Sequence, residues 1–398
     1  MIEPLKKDLV FDKTADLNWK LLLKESITSP EQLRDILSEE EIEECKKVIE
    51  SYPMRINPYY LSLIRYKGDP IWKQCIPDIN ELIDVEGLED PLCEERDSPF
   101  PGLTHRYPDR VLLLISAHCA MYCRFCTRKR KVGTEKLRIP MGQILKGIEY
   151  IANHPEVRDV VLSGGDPLLL SDRKLEFILT RLRAIPHLEI IRIGTRVPCT
   201  MPQRVTPELC TMLKKFHPLF INTHFNHPYE ITEESRKACA MLADAGIPLG
   251  NQSVLLKGVN DNPAIFKELN QALLTMRVKP YYIFQADYVQ GSNHFRTPIE
   301  AGMEVISALR GHTSGLAVPH YVIDVPGGGG KIAVIPNPVV ELTDEHILLS
   351  NYQGKTFEYK FPAKDQNGNG KNGNGHGNRN GTHIETLLLE KNAKYPQS

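Results

Sequence analysis

The sequence predicts an α/β fold, a partial (β/α)6 barrel preceded by a helical region and followed by a C-terminal extension, and three observations point to it. From residue 111 onward, short apolar runs recur at 111–115, 160–162, 190–193, 220–225, 249–256 and 281–284. Amphipathic stretches with helical spacing lie between and after them, at 141–152, 174–184, 207–215, 233–245, 264–276 and 298–309. Strands alternating with helices argue for a parallel sheet, and about six such units suffice for a closed or partly open barrel. Third, chemistry-bearing residues follow the runs where barrels collect them, at the carboxyl ends of strands. A cysteine loop follows the first run, Gly164-Gly165-Asp166 the second, His224 and Asn226 the fourth, and Asp287 the sixth.

Taken in chain order, residues 1–100 read as mostly helical. Ser29-Pro-Glu-Gln32 carries the Ser, Pro and Gln of a capped helix start, with Leu33 and Ile36 following at helical spacing. The barrel core occupies 101–335 and the extension 336–363. Residues 364–381 are an Asn/Gly tract that reads as flexible linker. Beyond it, Ile384, Leu387, Leu388 and Leu389 form a short apolar stripe that suits a docking helix or nothing stable.

The 398 residues are 41% hydrophobic with a net charge of -1, enough apolar matter for a sizeable core and no basic field for nucleic acid. The only short basic run, Arg128 to Lys131, is either a solvated strip or an anion site beside the cysteines. No apolar signal stretch stands near Met1, and no segment is long and apolar enough to span a bilayer, so no membrane partner is expected. The nine cysteines do not form the dense framework of a small secreted domain. A reducing cytoplasm is expected.

The densest chemical signal is Cys119-Ala-Met-Tyr-Cys123-Arg-Phe-Cys126, three cysteines at CxxxCxxC spacing directly after the first run. Three thiolates round one loop can hold three irons of a 4Fe–4S cluster and leave the fourth iron open. Zinc remains an alternative, although structural zinc prefers four ligands in paired spacing, as do buried structural thiols or disulfide partners. Ser163-Gly164-Gly165-Asp166-Pro167 follows a buried strand. It is either an ordinary strand-to-helix turn or a place where backbone approaches a ligand. Pro326-Gly-Gly-Gly-Gly330-Lys331 is not a P-loop, because Ile332 stands where GxxxxGK needs Ser or Thr. A lysine on a glycine-rich hinge suits a Schiff base to pyridoxal 5′-phosphate, and a solvated Lys on a flexible turn is the plain alternative.

Together, and in this order, the three motifs resemble the radical S-adenosylmethionine enzymes and, within them, the lysine 2,3-aminomutase family. Thr104-His-Arg-Tyr-Pro-Asp-Arg110, the stretch 220–228, Gly250-Asn-Gln-Ser-Val-Leu-Leu256, His294-Phe-Arg-Thr297 and Arg310-Gly-His-Thr-Ser-Gly315 also read like that family. The likeness runs from about Asp97 to Lys331 and more loosely through the helical N-terminal region. It implies a radical-SAM barrel, with a 4Fe–4S cluster, S-adenosylmethionine and pyridoxal phosphate as cofactors.

Carried over residue by residue, the resemblance makes Cys119, Cys123 and Cys126 the cluster ligands and Lys331 the lysine that holds pyridoxal phosphate. Gly164, Gly165 and Asp166 lie in the element that contacts the methionine amino group. Arg128 matches the arginine that grips the substrate carboxylate, for which a planar guanidinium is suited. Asp287 and Asp324 match the two aspartates that bind the far ammonium of lysine. Either alone reads equally as a turn acid. Arg106 and Arg110 become candidates for the cofactor phosphate, and His224 and Gln252 for the lining of the cofactor pocket. The implied reaction moves the amino group of L-lysine from Cα to Cβ, giving β-lysine, after a 5′-deoxyadenosyl radical takes hydrogen from Cβ. The implied partners are free lysine, a reductant such as flavodoxin or ferredoxin, and further copies in a homo-oligomer.

Two departures from the family qualify this. Known members use C-terminal cysteines, with one from a neighbouring subunit, for a structural zinc. This chain has no cysteine after Cys239, so structural zinc is not expected. A shorter branch of the family works with translation elongation factor P and lacks the glycine loop in this form, so the full loop here favours a free amino acid. Glutamate aminomutases replace the two aspartates, which favours lysine over glutamate. Arginine 2,3-aminomutase and a radical-SAM scaffold without mutase activity are the competing expectations.

Overall fold

Every second residue of the first five parallel strands is buried, and the residues between them include those that face a lumen. In the computed structural model, which describes residues 18–84 and 86–362, the strand Arg110–Ser116 (β2) buries Val111, Leu113 and Ile115. Its Leu112 lines an interior cavity. The same alternation holds for Asp159–Gly164 (β3), Ile190–Gly194 (β4), Leu219–Thr223 (β5) and Leu249–Leu255 (β6). This period of two lets one strand serve a packed core outside and a polar cavity inside.

Val278–Gln285 (β7) and His320–Val325 (β8) complete a run of seven parallel strands paired in sequence order. Leu103–Tyr107 (β1) and Gly330–Ala333 (β9) add an antiparallel strand at either edge. The two edges meet through side chains. The Tyr107 hydroxyl accepts from the Lys331 amide at 3.0 Å, and Arg106 reaches Asp324 at 3.4 Å.

Five helices of the N-terminal region precede the barrel, Trp19–Lys24 (α1), Glu39–Ser51 (α2), Pro58–Leu61 (α3), Pro70–Cys75 (α4) and Asn80–Ile83 (α5). The barrel helices are Met141–Ala152 (α6), Asp172–Arg183 (α7), Val197–Thr200 (α8), Pro207–Leu213 (α9), Glu233–Asp244 (α10), Pro263–Thr275 (α11) and Ile299–Leu309 (α12). In α7, Leu175, Ile178, Leu179 and Leu182 are all buried, the i, i+3, i+4, i+7 stripe of a core-facing helix. Truncating Leu179 to Ala there costs about 2–5 kcal/mol. The Ser171 hydroxyl accepts from the Lys174 amide and starts the helix.

The chain divides into two compact units, one ending at Asn337 and one beginning at Pro338. The helical region and the barrel therefore form one unit, where the sequence suggested a boundary near residue 100. The second unit holds an antiparallel meander of Val339–Leu342 (β10), His346–Ser350 (β11) and Thr356–Lys360 (β12). The predicted Asn/Gly linker and the apolar stripe at 384–389 lie outside the described residues.

The predicted start at Ser29 opens only one 3-10 turn, Pro30–Leu33. A stronger cap follows within nine residues, where Ser38 and Glu41 bond reciprocally and start α2. Ser38 has extended backbone (φ -71, ψ 163), so no helix can run through it.

Candidate active site

The loop after β2 carries Cys119, Cys123 and Cys126, all half-buried and free. Burial raises the Cys119 thiol well above its usual range and pushes Cys126 up to about 11, and each also feels the neighbouring cysteines. Binding iron there releases protons, since the ligand is the thiolate. The N-terminal region fixes the loop's backbone. The Tyr122 amide donates to the Arg55 carbonyl at 2.9 Å and the Arg124 amide to the Gln74 carbonyl at 3.0 Å. The Asn57 side chain donates to the Ala120 carbonyl at 3.1 Å.

Between the second and third cysteines, Arg124 turns away and is fully buried against Glu81 of α5. Lys129 meets the same carboxylate at 2.6 Å. Two buried cations therefore share one buried acid, and removing Glu81 would strand both, a loss of about 3–5 kcal/mol. The basic run is not a solvated strip. Arg128 pairs with Glu94, Arg130 with Asp90 and Glu95, and Lys131 with Glu95.

Gly164 and Gly165 bring the end of β3 against the start of the cysteine loop. The Gly165 amide donates to the Ser116 carbonyl and the Asp166 amide to the His118 carbonyl, both at 2.6 Å. A Cβ on Gly165 would lie 2.4 Å from the His118 carbonyl oxygen, and Gly164 has a φ of +134. Asp166 is buried, and its carboxylate accepts from the Thr195 hydroxyl at 2.6 Å, the Arg196 amide at 2.7 Å and the Leu168 amide at 3.0 Å. The carboxylate of Asp166 is therefore spent inside the protein, and any ligand contact from this segment falls to other atoms.

His224 is held neutral, its basicity pushed down to about 3 by burial and by the Arg196 charge, with Nε2 3.1 Å from Asn226 Oδ1. Its ring stands 5.7 Å from that of Phe125 in the cysteine loop.

A cavity of about 550 Å³ occupies the lumen, within the range of small-molecule sites. Of the predicted residues, Arg106, Arg110, Arg128, Gln252, Asp324 and Lys331 line it. Lys331 Nζ lies 2.9 Å from Asp324 Oδ2 and 5.6 Å from the centre of the Phe284 ring. Asp287 accepts from the Thr127 hydroxyl at 2.8 Å and stands close enough to Asp324 and Lys331 to feel both charges. Burial raises its carboxyl to about 6. Arg106 donates to Asp97 at 2.9 Å and to Asp324 and the Leu92 carbonyl, so all three of its nitrogens are engaged. Arg110, at the opposite mouth of the lumen from the cysteines, pairs with Asp109 at 2.9 Å and lies over the Tyr107 ring at 4.1 Å.

The structure thus gathers two groups of predicted residues. Arg128 bridges them, with Nη1 3.3 Å from Ser163 Oγ and 3.5 Å from the Gly164 carbonyl. Sequence reasoning missed Arg196, Glu94, Thr127 and Tyr281 with Tyr282. Arg196 follows the end of β4, so the same carboxyl-end rule could have found it. Glu94 lies in an irregular stretch that gave no signal.

The residues present fit the expected groups. Three thiols share a loop fixed by hydrogen bonds to the N-terminal region, an amine and the Asp324 carboxylate line a wide cavity with Asp287 close behind, and guanidinium groups line the same cavity. Fold and cysteine loop together define a radical S-adenosylmethionine enzyme, and a family model described as the radical SAM superfamily matches residues 113–267. A second, described as lysine-2,3-aminomutase, matches residues 306–392. The chain is 51% identical over 401 residues to L-lysine 2,3-aminomutase of Clostridium subterminale, covering 96% of each chain. It is 55% identical to that of Fusobacterium nucleatum, covering 87% of this chain and 82% of the other. Identity to glutamate 2,3-aminomutase of Clostridioides difficile is 46%, over 87% and 84%. The chain belongs to the lysine 2,3-aminomutase family.

Proposed function

We propose that this chain is an L-lysine 2,3-aminomutase, an isomerase that converts L-lysine to β-lysine. The observation that carries the reading is the cavity that Arg128, Asp324 and Lys331 line together, with Asp287 just behind its wall, bonded to the lining residue Thr127 and close enough to Asp324 and Lys331 to feel both charges. A substrate with a carboxylate at one end and an ammonium at the other meets an arginine fork and two acids, the pairing that buried ionic groups require. Glutamate would place a carboxylate against the two acids, and the site would reject it.

In this reading Cys119, Cys123 and Cys126 hold the 4Fe–4S cluster, and the Gly164 to Asp166 turn borders S-adenosylmethionine through its backbone. Lys331 holds pyridoxal phosphate. Of the two phosphate candidates, Arg110 is the better placed, because Arg106 is committed to protein acceptors. Gln252 lines the lumen cavity, whereas His224, neutral and buried, stands behind the cysteine loop against Phe125. When bound, the reduced cluster with S-adenosylmethionine supplies a hydrogen-abstracting radical, and pyridoxal phosphate supplies the π system over which nitrogen migrates. The chain's own work is to orient lysine between Arg128 and the acid pair and to keep water out with Tyr281, Tyr282 and Phe284.

The reading includes a reductant of the flavodoxin or ferredoxin kind, a homo-oligomeric state and a cytoplasmic setting. Nine free cysteines suit a reducing compartment. Among the described residues no helix is long and apolar enough to cross a membrane.

The test is an anaerobic assay of reconstituted protein with S-adenosylmethionine, pyridoxal phosphate and dithionite, offered lysine, arginine and glutamate separately. β-Lysine as the main product supports the reading. β-Arginine as the main product keeps the chemistry and overturns the substrate assignment.

A further inference from the structure

A second cavity, of about 310 Å³, adjoins the first, and Glu94 and Thr104 belong to the walls of both. Lys131, Lys136 and Arg138 line the second one, which we take as the outer chamber because Lys136 and Arg138 are exposed. Glu95 also lines this chamber and pairs with Lys131 at 2.7 Å, while Glu94 is held by Arg128, so Lys136 and Arg138 leave it a small excess of positive charge that favours entry of a small carboxylate. Between that chamber and the lumen stands one ion pair. Glu94 Oε1 lies 2.6 Å from Arg128 Nη2, and Oε2 lies 3.0 Å from Nε.

This two-point fork is the geometry by which arginine holds any carboxylate. Both side chains are largely shielded, at 15% exposure for Arg128 and 17% for Glu94. Glu94 rides on the irregular segment 90–98. Its neighbour Cys93 has left-handed backbone, φ +52, which a non-glycine residue keeps only where its surroundings impose it. The segment's other anchors fit that description. Asp97 holds Arg106 at 2.9 Å, Arg96 donates to the Gly327 carbonyl at 2.9 Å, and the Gly327 amide donates to the Pro91 carbonyl at 3.1 Å. Glu94 is thus the inward-pointing member of a segment tied to the glycine loop before Lys331.

We propose that Glu94 is a gate residue: its carboxylate fills the seat on Arg128 until a substrate carboxylate arrives through the second cavity and displaces it toward Lys136 and Arg138. The proposal rests on the reading of Arg128 as the seat of the substrate carboxylate. It has a physical economy, because one carboxylate replaces another and the guanidinium is never left buried without a partner. It also assigns selectivity to the first step. An amine without a carboxylate, such as lysine stripped of its carboxyl group, has nothing to exchange and leaves the pair closed.

The test measures lysine binding by equilibrium dialysis to holoenzyme left unreduced, so that no turnover occurs. Glu94→Gln keeps the shape and weakens the internal competitor, so lysine should bind about tenfold tighter than to the unsubstituted protein. Arg128→Gln should weaken it by about a hundredfold. Equal or weaker binding to E94Q, with R128Q still weak, overturns the gate and leaves the Arg128 seat standing. Lysine binding unchanged in R128Q removes the seat, and the gate falls with it. A second measurement needs no variant. Amide hydrogen exchange across 90–98 should rise when saturating lysine is added, and a fall or no change contradicts the exchange of partners.

Discussion

Arg196 Nη1 lies 2.8 Å from Cys123 Sγ, which places a buried guanidinium against one of the three cysteines of the loop. The same side chain reaches Glu230 at 2.7 Å and the Gln74 carbonyl oxygen of its amide at 2.5 Å. Its charge is therefore shared between the loop and the N-terminal region. Positive charge beside a sulfur ligand favours the reduced, more negative form of an iron–sulfur cluster.

Arg196→Gln should shift the cluster's reduction potential to more negative values. It should also destabilise the fold by about 3–5 kcal/mol, because Glu230 loses its buried partner. Spectroelectrochemical titration and thermal melting check the two effects separately. A loss of stability with an unchanged potential would confine Arg196 to a structural role.

Gly165→Ala drives a Cβ to 2.4 Å from the His118 carbonyl, a backbone atom that cannot swing aside. The start of the cysteine loop must move, at a cost of about 1–3 kcal/mol. Iron per chain after reconstitution should fall along with the melting temperature. Normal iron content in G165A would show that the turn does not position the loop.

Asp287 predicts a pH dependence. Its carboxyl is raised from 3.8 to about 6, chiefly by burial, with the Thr127 hydrogen bond opposing. Between those values the folded chain holds a proton that the unfolded chain has lost, so this group's contribution to stability falls as pH rises from about 4 to about 6 and is level above. Ammonium binding needs the ionised form. Lysine affinity should therefore be flat above about pH 6 and weaken below it, by up to about tenfold per pH unit. Asp287→Asn should bind weakly and without that inflection. A flat profile in the unsubstituted protein would take Asp287 out of substrate binding.

The β/α units were legible because each buries one face, and burial writes its period into the residues. The stretch 141–152 coincides with α6, and 233–245 and 264–276 match α10 and α11 to within one residue at either end. The edge strands were not legible. β1 is Leu103-Thr-His-Arg-Tyr107, polar because it borders the cavity, and β9 starts in a glycine run. The site's local motifs could be read, but pairings across the chain could not. Arg196 and Cys123 are 73 residues apart, and Arg128 and Glu94 are 34 apart. The mutual approach of Asp287 and Asp324 depends on β7 and β8 being neighbours, which spacing alone does not reveal.

The most direct measurement follows the nitrogen itself. Reconstituted enzyme under anaerobic conditions, given L-lysine labelled with 15N at the α-amino group, should yield β-lysine with the label on Cβ, as read by nuclear magnetic resonance. Label retained on Cα, or released as ammonia, would contradict the account of this chain as an aminomutase.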